Sequence, residues 1–299
     1  MDTSSRALYN QVDRCLVSAI PQERERQTVT RLLLEHYCKL EVLHAVLDES
    51  IPFSPTQKKL LSAAIERLKR QEPIQYVLGK AHFLGRDFQV SPAVLIPRPE
   101  TEAFVQYIIE KTPRVSTRVL DIGTGSGCIA ITLQKELHQA TVHALDVAPE
   151  ALRIAQTNAQ QLAAAVHFMQ VDLLREPLPD QRWDIMVSNP PYVRIAEQKQ
   201  MHPRVLDYEP AQALFVPDEK PLIFYEKMVA LAPQHLTPKG KLYLEVNEAL
   251  GAEVASLLVH TGFEAVYIRQ DLNGKDRWVV GTWEASLARD TKSVHSAVT

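Results

Sequence analysis

The chain has 299 residues, with 33 Lys+Arg against 36 Asp+Glu for a formal net charge of −3, and is 45% hydrophobic and 23% charged. That balance excludes a mostly disordered or collagen-like chain and speaks against a broad electrostatic grip on nucleic-acid phosphates. Cys15, Cys38 and Cys128 are odd in number and form no CxxC pair, so neither a disulfide framework nor a cysteine zinc site is expected, and the thiols suit a reducing compartment. The opening MDTSSRALYNQVDR has no cationic stretch followed by an apolar one, and no run approaches 18 uninterrupted apolar residues; a cytoplasmic chain without a membrane span is expected.

Residues 1–72 read as a small bundle of short helices. Leu8, Val12, Leu16 and Ile20 recur every four residues, Val29, Leu32, Leu33 and Tyr37 suit a second helical face, and no glycine precedes Gly79. Ser54 is placed to cap a helix starting at Pro55, whose stripe is Leu60, Leu61, Ala64, Ile65 and Leu68. Residues 73–98 change character, with prolines, two glycines and alternating aromatic and β-branched residues. They predict a connector with a hairpin, Val77 to Phe83 and Arg86 to Val90, around Leu84-Gly85. A helix from Glu100 to about Lys111 follows Pro97-Arg98-Pro99. Arg98 and Glu100 read as its salt-bridged start, with a wall of a ligand cleft as the alternative.

From Arg118 onward strands and helices alternate. Strands are expected at Arg118–Ile122, Thr141–Asp146, Val166–Gln170, Asp184–Ser188, Lys241–Val246, Ala265–Arg269 and Trp278–Gly281. Helices are expected at Cys128–His138, Pro149–Leu162, Pro221–Ala232 and Leu250–His260. Unbroken apolar strands in a βαβαβ succession predict a doubly wound α/β sheet. The link Gln270–Arg277 is too short for a parallel crossover, so the last pair should be antiparallel. The polar tail from about Glu284 should fray.

Val119-Leu120-Asp121-Ile122 runs into Gly123-Thr124-Gly125-Ser126-Gly127 and then a helix. Glycines allow a sharp turn and close approach by a ligand, but Cys128 breaks the G-x-G-x-x-G dinucleotide fingerprint. Asp146 ends the second strand, nineteen residues after Gly127, where a carboxylate can accept both hydroxyl protons of a ribose. Asp172-Leu173 follows the third strand, where an adenine would lie. These residues point to an adenosine-type ligand and leave a nicotinamide cofactor and S-adenosylmethionine both open. Ser188-Asn189-Pro190-Pro191-Tyr192 follows the fourth strand. Two prolines remove two N–H donors. The Asn189 side-chain carbonyl, the Pro190 backbone carbonyl and the flat face of Tyr192 remain, a cradle for a planar –NH2 group rather than for an anion.

Together these motifs resemble the amino-group methyltransferases with the class I S-adenosylmethionine fold. More narrowly, Pro73-Ile74-Gln75-Tyr76-Val77-Leu78-Gly79, Ile96-Pro97-Arg98-Pro99-Glu100-Thr101-Glu102, and Tyr208-Glu209-Pro210 with Ala213-Leu214 resemble the HemK/PrmC family over about residues 10–283. The resemblance implies a seven-stranded, mostly parallel sheet with an antiparallel last strand, preceded by the helical bundle. It implies S-adenosylmethionine as cofactor, S-adenosylhomocysteine as product, and class 1 peptide chain release factors as protein substrates. The glutamine of their Gly-Gly-Gln motif would be methylated at the side-chain nitrogen (N5), tuning translation termination. Cofactor residues carry over as Gly123, Thr124, Gly125, Ser126, Gly127, Asp146, Asp172 and Leu173, with Asn189. Amide-binding residues carry over as Asn189, Pro190, Pro191 and Tyr192, of which Asn189, Pro190 and Tyr192 would act in catalysis.

The expected organisation is a release-factor docking bundle over 1–72, a hairpin linker over 73–98, a catalytic domain over 99–283 and a tail over 284–299, in a monomer with no metal and no stable nucleic-acid partner. Ten histidines show no HxxxH or HxH cluster. Glu245 is read as a sheet-edge residue. The rival function is a nucleic-acid adenine-N6 methyltransferase, because adenine also offers a planar –NH2; it would call for a cationic channel that the charge balance does not announce.

Overall fold

Apolar residues at three- and four-residue spacing fold the N-terminal segment into helices Ser5–Leu16, Glu23–Cys38, Pro55–Lys69 and Ile74–Leu78. The computed structural model describes residues 2–40, 47–271 and 273–284, so the expected fraying beyond residue 284 lies outside the described residues. Leu8, Val12, Leu16, Ile20, Val29, Leu33, Leu34, Leu61, Ala64 and Leu68 share one core. Two positions differ from the expected stripes: Leu34 takes the buried place given to Leu32, and Leu60 is 50% exposed because Leu61, one position round the helix, already faces inward. Ser54 caps as expected. Its hydroxyl accepts from Gln57 N at 3.1 Å while Gln57 Oε1 accepts from Ser54 N at 2.9 Å, a reciprocal pair worth ~1 kcal/mol.

The hairpin is shorter than expected. Residues 77 and 78 belong to the helical turn Ile74–Leu78, which Gly79 ends in the left-handed region at φ 70°. Strands Lys80–Phe83 and Arg86–Gln89 follow, joined by Leu84 and Gly85 with φ of 43° and 78°, as a tight primed turn requires.

Residues Met1–Ala81, Val90–Pro92 and Gln200–Glu209 form one compact unit. The late segment was not foreseen there. Its short helix Pro203–Tyr208 is fixed by Arg204, which pairs with Glu25 at 2.7 Å and donates to Gln71 Oε1 at 3.1 Å and Ala19 O at 3.3 Å. Tyr208 Oη donates to Arg70 O at 2.7 Å.

The second unit, His82–Gln89, Ala93–Lys199 and Pro210–Thr299, is built on one seven-stranded sheet. Its strands are β1 (Thr117–Ile122), β2 (Ala140–Asp146), β3 (Val166–Gln170), β4 (Trp183–Ser188), β5 (Leu236–Glu245), β6 (Glu264–Gln270) and β7 (Asp276–Trp283). Their spatial order is β3-β2-β1-β4-β5-β7-β6, parallel except for β7, which runs antiparallel to both β5 and β6. Both faces are covered. Val119, Ile185, Val187, Tyr243 and Val280 enter one apolar layer, while Leu120, Met186, Leu242, Leu244 and Val279 enter the other. This two-residue alternation is why the strands read as continuous apolar runs. The strand order reverses between β1 and β4, where open α/β sheets bind ligands at the carboxyl ends of their strands.

Candidate active site

The glycine turn leaves β1 and enters helix Cys128–Glu136. Gly125 has φ 54° and Gly127 φ 82°, backbone that L side chains rarely adopt. A Cβ on Gly125 would meet nothing within 4 Å, so this position keeps the wall open. A Cβ on Gly127 would lie 2.9 Å from Ile131 Cδ1 and 3.1 Å from Ala155 Cβ, so this position lets the helices pack. Two buried side chains hold the turn. Asp121 Oδ2 accepts from Thr124 Oγ1 at 2.6 Å and Ala130 N at 3.2 Å, and burial pushes its carboxyl up to about 7. Asn158 donates through Nδ2 to Ser126 O at 2.8 Å and Gln89 O at 3.0 Å, and accepts from Gln89 N at 2.7 Å, which clips the hairpin strand to the turn.

Asp146, at the end of β2, accepts from Gly125 N and Ala148 N, both at 2.9 Å, one on each oxygen. Each oxygen keeps a lone pair for a further donor. Burial raises its carboxyl, and these backbone N–H groups pull it back. Asp172 Oδ1 accepts from Leu174 N at 3.0 Å, a local turn that fixes its carboxylate. Beyond β4, Ser188 Oγ donates to Ile122 O at 2.7 Å, tying the base of the proline tetrapeptide to the end of β1.

A cavity of about 290 Å³ lies over these strand ends. It brings together Gly123, Thr124, Gly125, Ser126, Asp146, Asp172, Leu173, Asn189, Pro190 and Pro191. Arg98 also lines it, as the cleft-wall reading of that residue requires, and so does Thr101. Gly127 and Tyr192 do not reach its wall. Gly127 acts through helix packing, and Tyr192, partly buried, packs against the apolar core on the Leu120 face. Burial, and the nearby Glu245 carboxylate after it, hold the Tyr192 phenol well above its usual range. A bare glycine wall, a fastened carboxylate for hydroxyl donors and the apolar flank of Val171 and Leu173 fit an adenosyl group.

Glu245 corrects the sheet-edge reading. It ends β5, an interior strand, and is 3% exposed. Its Oε2 accepts from Thr101 Oγ1 at 2.8 Å, and Thr101 Oγ1 accepts from Asn189 Nδ2 at 3.2 Å. Burial raises its carboxyl to about 7; Glu100 pushes the same way, while the Thr101 hydroxyl, Arg277 and Arg98 oppose. Sequence reasoning did not single out Thr101, Asp121 or Asn158. The signal for Glu245 was present, since it ends its strand in the same row as Asp146 and Asn189.

Residues 7–79 match the PrmC N-terminal domain, and residues 99–209 match the Methyltransferase small domain. The release factor glutamine methyltransferase of Flavobacterium psychrophilum is 40% identical over 267 residues, covering 88% of this chain and 94% of that one. The chain belongs to the release factor glutamine methyltransferase family. The release factor glutamine methyltransferase of Bacteroides thetaiotaomicron is 44% identical over 239 residues, 80% of this chain and 86% of its own. A methyltransferase from Pyrococcus furiosus matches 78% of this chain and 100% of its own with a TM-score of 0.50 at 20% identity, a likeness of fold alone. Asn189, Pro190 and Pro191 of the tetrapeptide stand on the same cavity wall as the glycine turn. Among the described residues no group of three or more His, Cys, Asp or Glu is disposed to hold a metal, and no helix is long and apolar enough to cross a membrane.

Proposed function

We propose that this chain transfers a methyl group from S-adenosylmethionine to the N5 side-chain nitrogen of the glutamine in the Gly-Gly-Gln motif of class 1 release factors. The observation that carries the reading is the meeting, on one cavity wall, of Asn189, Pro190 and Pro191 with a glycine turn and a fastened Asp146. Gly123 to Ser126, Asp146, Asp172 and Leu173 would hold the cofactor, which when bound supplies an electrophilic sulfonium methyl. The helical unit, through residues 1–72, would dock the release factor.

An amide nitrogen is a weak nucleophile because its lone pair is delocalised into the carbonyl, and full rotation out of conjugation costs ~18–20 kcal/mol. Asn189 Oδ1 and the Pro190 carbonyl would each accept one N–H of the substrate amide, holding the nitrogen on line and favouring partial loss of planarity. Positioning of this kind lowers barriers by as much as ~7–11 kcal/mol. The same carbonyl dipoles favour the positive charge that grows on nitrogen as it is alkylated. The alkylated nitrogen becomes acidic, so a neutral asparagine suffices and its proton leaves along one of these acceptors to water. Tyr192 would brace the tetrapeptide from the core side.

The test is mass spectrometry of the Gly-Gly-Gln peptide after incubation of release factor with labelled methyl donor and the full chain. One added methyl on glutamine is expected, and label entering only DNA or RNA would overturn the reading. Asn189→Ala is expected to bind S-adenosylmethionine within a few-fold of wild type while turnover falls by roughly 10²–10³, as when a preorganised hydrogen-bonding group is removed from an active site.

A further inference from the structure

An amide is nearly symmetric in outline, so Asn189 can present either its oxygen or its –NH2 to the cavity unless its neighbours discriminate between the two ends. An acceptor slot requires the oxygen. Thr101 and Glu245 supply the discrimination. The Glu245 carboxylate has no proton to give, so the 2.8 Å contact commits the single hydroxyl proton of Thr101 to Glu245 Oε2. Thr101 Oγ1 is then left with lone pairs only toward Asn189, and the atom facing it at 3.2 Å must be a donor, Nδ2. With Nδ2 spent on Thr101, planarity turns Oδ1 the other way. Thr101 and Glu245 are each 3% exposed, so water does not compete for these contacts, whereas Asn189 is only half-buried and lines the cavity.

The placement follows from the fold. Thr101 stands in the first turn of helix Pro99–Lys111, Glu245 at the end of β5 and Asn189 just beyond β4, which is β5's parallel neighbour. We infer that Glu245 and Thr101 are positioning residues that lock the Asn189 amide with its oxygen toward the substrate nitrogen. This inference rests on the proposed role of Asn189. It requires an ionised Glu245, because a neutral acid could donate to Thr101 and reverse the chain. Arg98 and Arg277 favour the charge and Glu100 opposes it, while Tyr192, Tyr225 and the thiol of Cys128 are held neutral around it by burial. Assays therefore belong at about pH 8.5, above the raised titration of the acid.

The experiment compares kcat, KM for release factor and Kd for S-adenosylmethionine across variants of the full chain, with thermal unfolding as a control. Thr101→Val keeps the shape and removes the acceptor. Its kcat is expected to fall about tenfold or more with KM and Kd unchanged, the loss of one directed hydrogen bond. Thr101→Ser should restore the rate, and Glu245→Gln, whose amide can donate to Thr101, should be slow in the same way. In an Asn189→Ala background Thr101→Val should cost nothing further. If Thr101→Val unfolds early, Thr101→Ala against Thr101→Ser gives the same comparison without the added methyl. Wild-type kcat in Thr101→Val or Glu245→Gln, with Asn189→Ala inactive, would overturn this inference and leave the proposed function standing. Added slowing in the Asn189→Ala background would also overturn it. Wild-type turnover in Asn189→Ala would overturn both.

Discussion

Replacing Gly127 by alanine separates the two jobs of the glycine turn. The residue sits at φ 82°, where an L side chain costs ~1–2 kcal/mol. The new Cβ would also stand 2.9 Å from Ile131 Cδ1, 3.1 Å from Ala155 Cβ and 3.3 Å from Ala155 Cα. The Ile131 methyl can rotate away, but the Ala155 backbone cannot without moving helix Pro149–Gln161, and overpacking of this kind costs ~1–3 kcal/mol. The total is ~2–5 kcal/mol, a fall in Tm of roughly 4–20 °C for a unit of this size. Gly125→Ala meets no atom within 4 Å, so it should carry only the backbone cost, roughly 2–8 °C. Its methyl instead stands at the cavity wall, where it should weaken S-adenosylmethionine binding. Thermal unfolding and calorimetric titration of both variants provide the check. A Gly127→Ala protein that melts with wild type, or a Gly125→Ala protein that melts below the Gly127→Ala protein, would refute the packing argument.

Asp121 carries a pH signature. Its folded pKa, raised to about 7 from 3.8 by burial, means that the unfolded chain releases this proton first as pH rises, so the group lowers stability progressively between about pH 4 and 7. Asp121→Asn keeps an acceptor for Thr124 and Ala130 and removes the buried charge; its Tm gain over wild type should be larger at pH 8 than at pH 5, and an equal gain at both would contradict the assignment. Asn158→Ala strips three hydrogen bonds, two from the backbone of Gln89 and one from the buried carbonyl of Ser126, and should cost roughly 2–3 kcal/mol by chemical denaturation, with weaker cofactor binding because the Ser126 carbonyl loses its donor. A variant with native stability would show that water replaces the amide.

The sheet was legible because burial on both faces leaves its mark in each strand: Val119-Leu120 and Ile185-Met186-Val187 are apolar whichever way they point, and Asp146 and Asn189 punctuate the strand ends. The glycine turn and the proline tetrapeptide are local, so both could be picked out in place as candidate site segments, and residues of both line one cavity. What escaped was non-local. Thr101 and Glu245 meet across 144 positions, and nothing in either neighbourhood announces the other. The packing of Tyr192 was not legible for a different reason: a tyrosine beside a candidate slot reads as a ring for the ligand, and nothing local announces that the same ring also packs against the core. The hairpin lost its first residues to a helical turn because Pro73 favours a helix start and Gly79 supplies the left-handed stop.

The segment Gln200–Glu209 has a practical consequence for anyone dissecting the enzyme. It follows the proline tetrapeptide by only a few residues, yet Arg204 and Tyr208 find their partners on Glu25, Gln71, Ala19 and Arg70. A fragment beginning at residue 82 would strip those partners away and leave a guanidinium and a phenol dangling from the strand of chain that carries the tetrapeptide. Lost turnover in such a fragment would report a loosened loop as much as a missing recruitment module, so the two are better parted by point changes on the bundle's outer surface than by scissors.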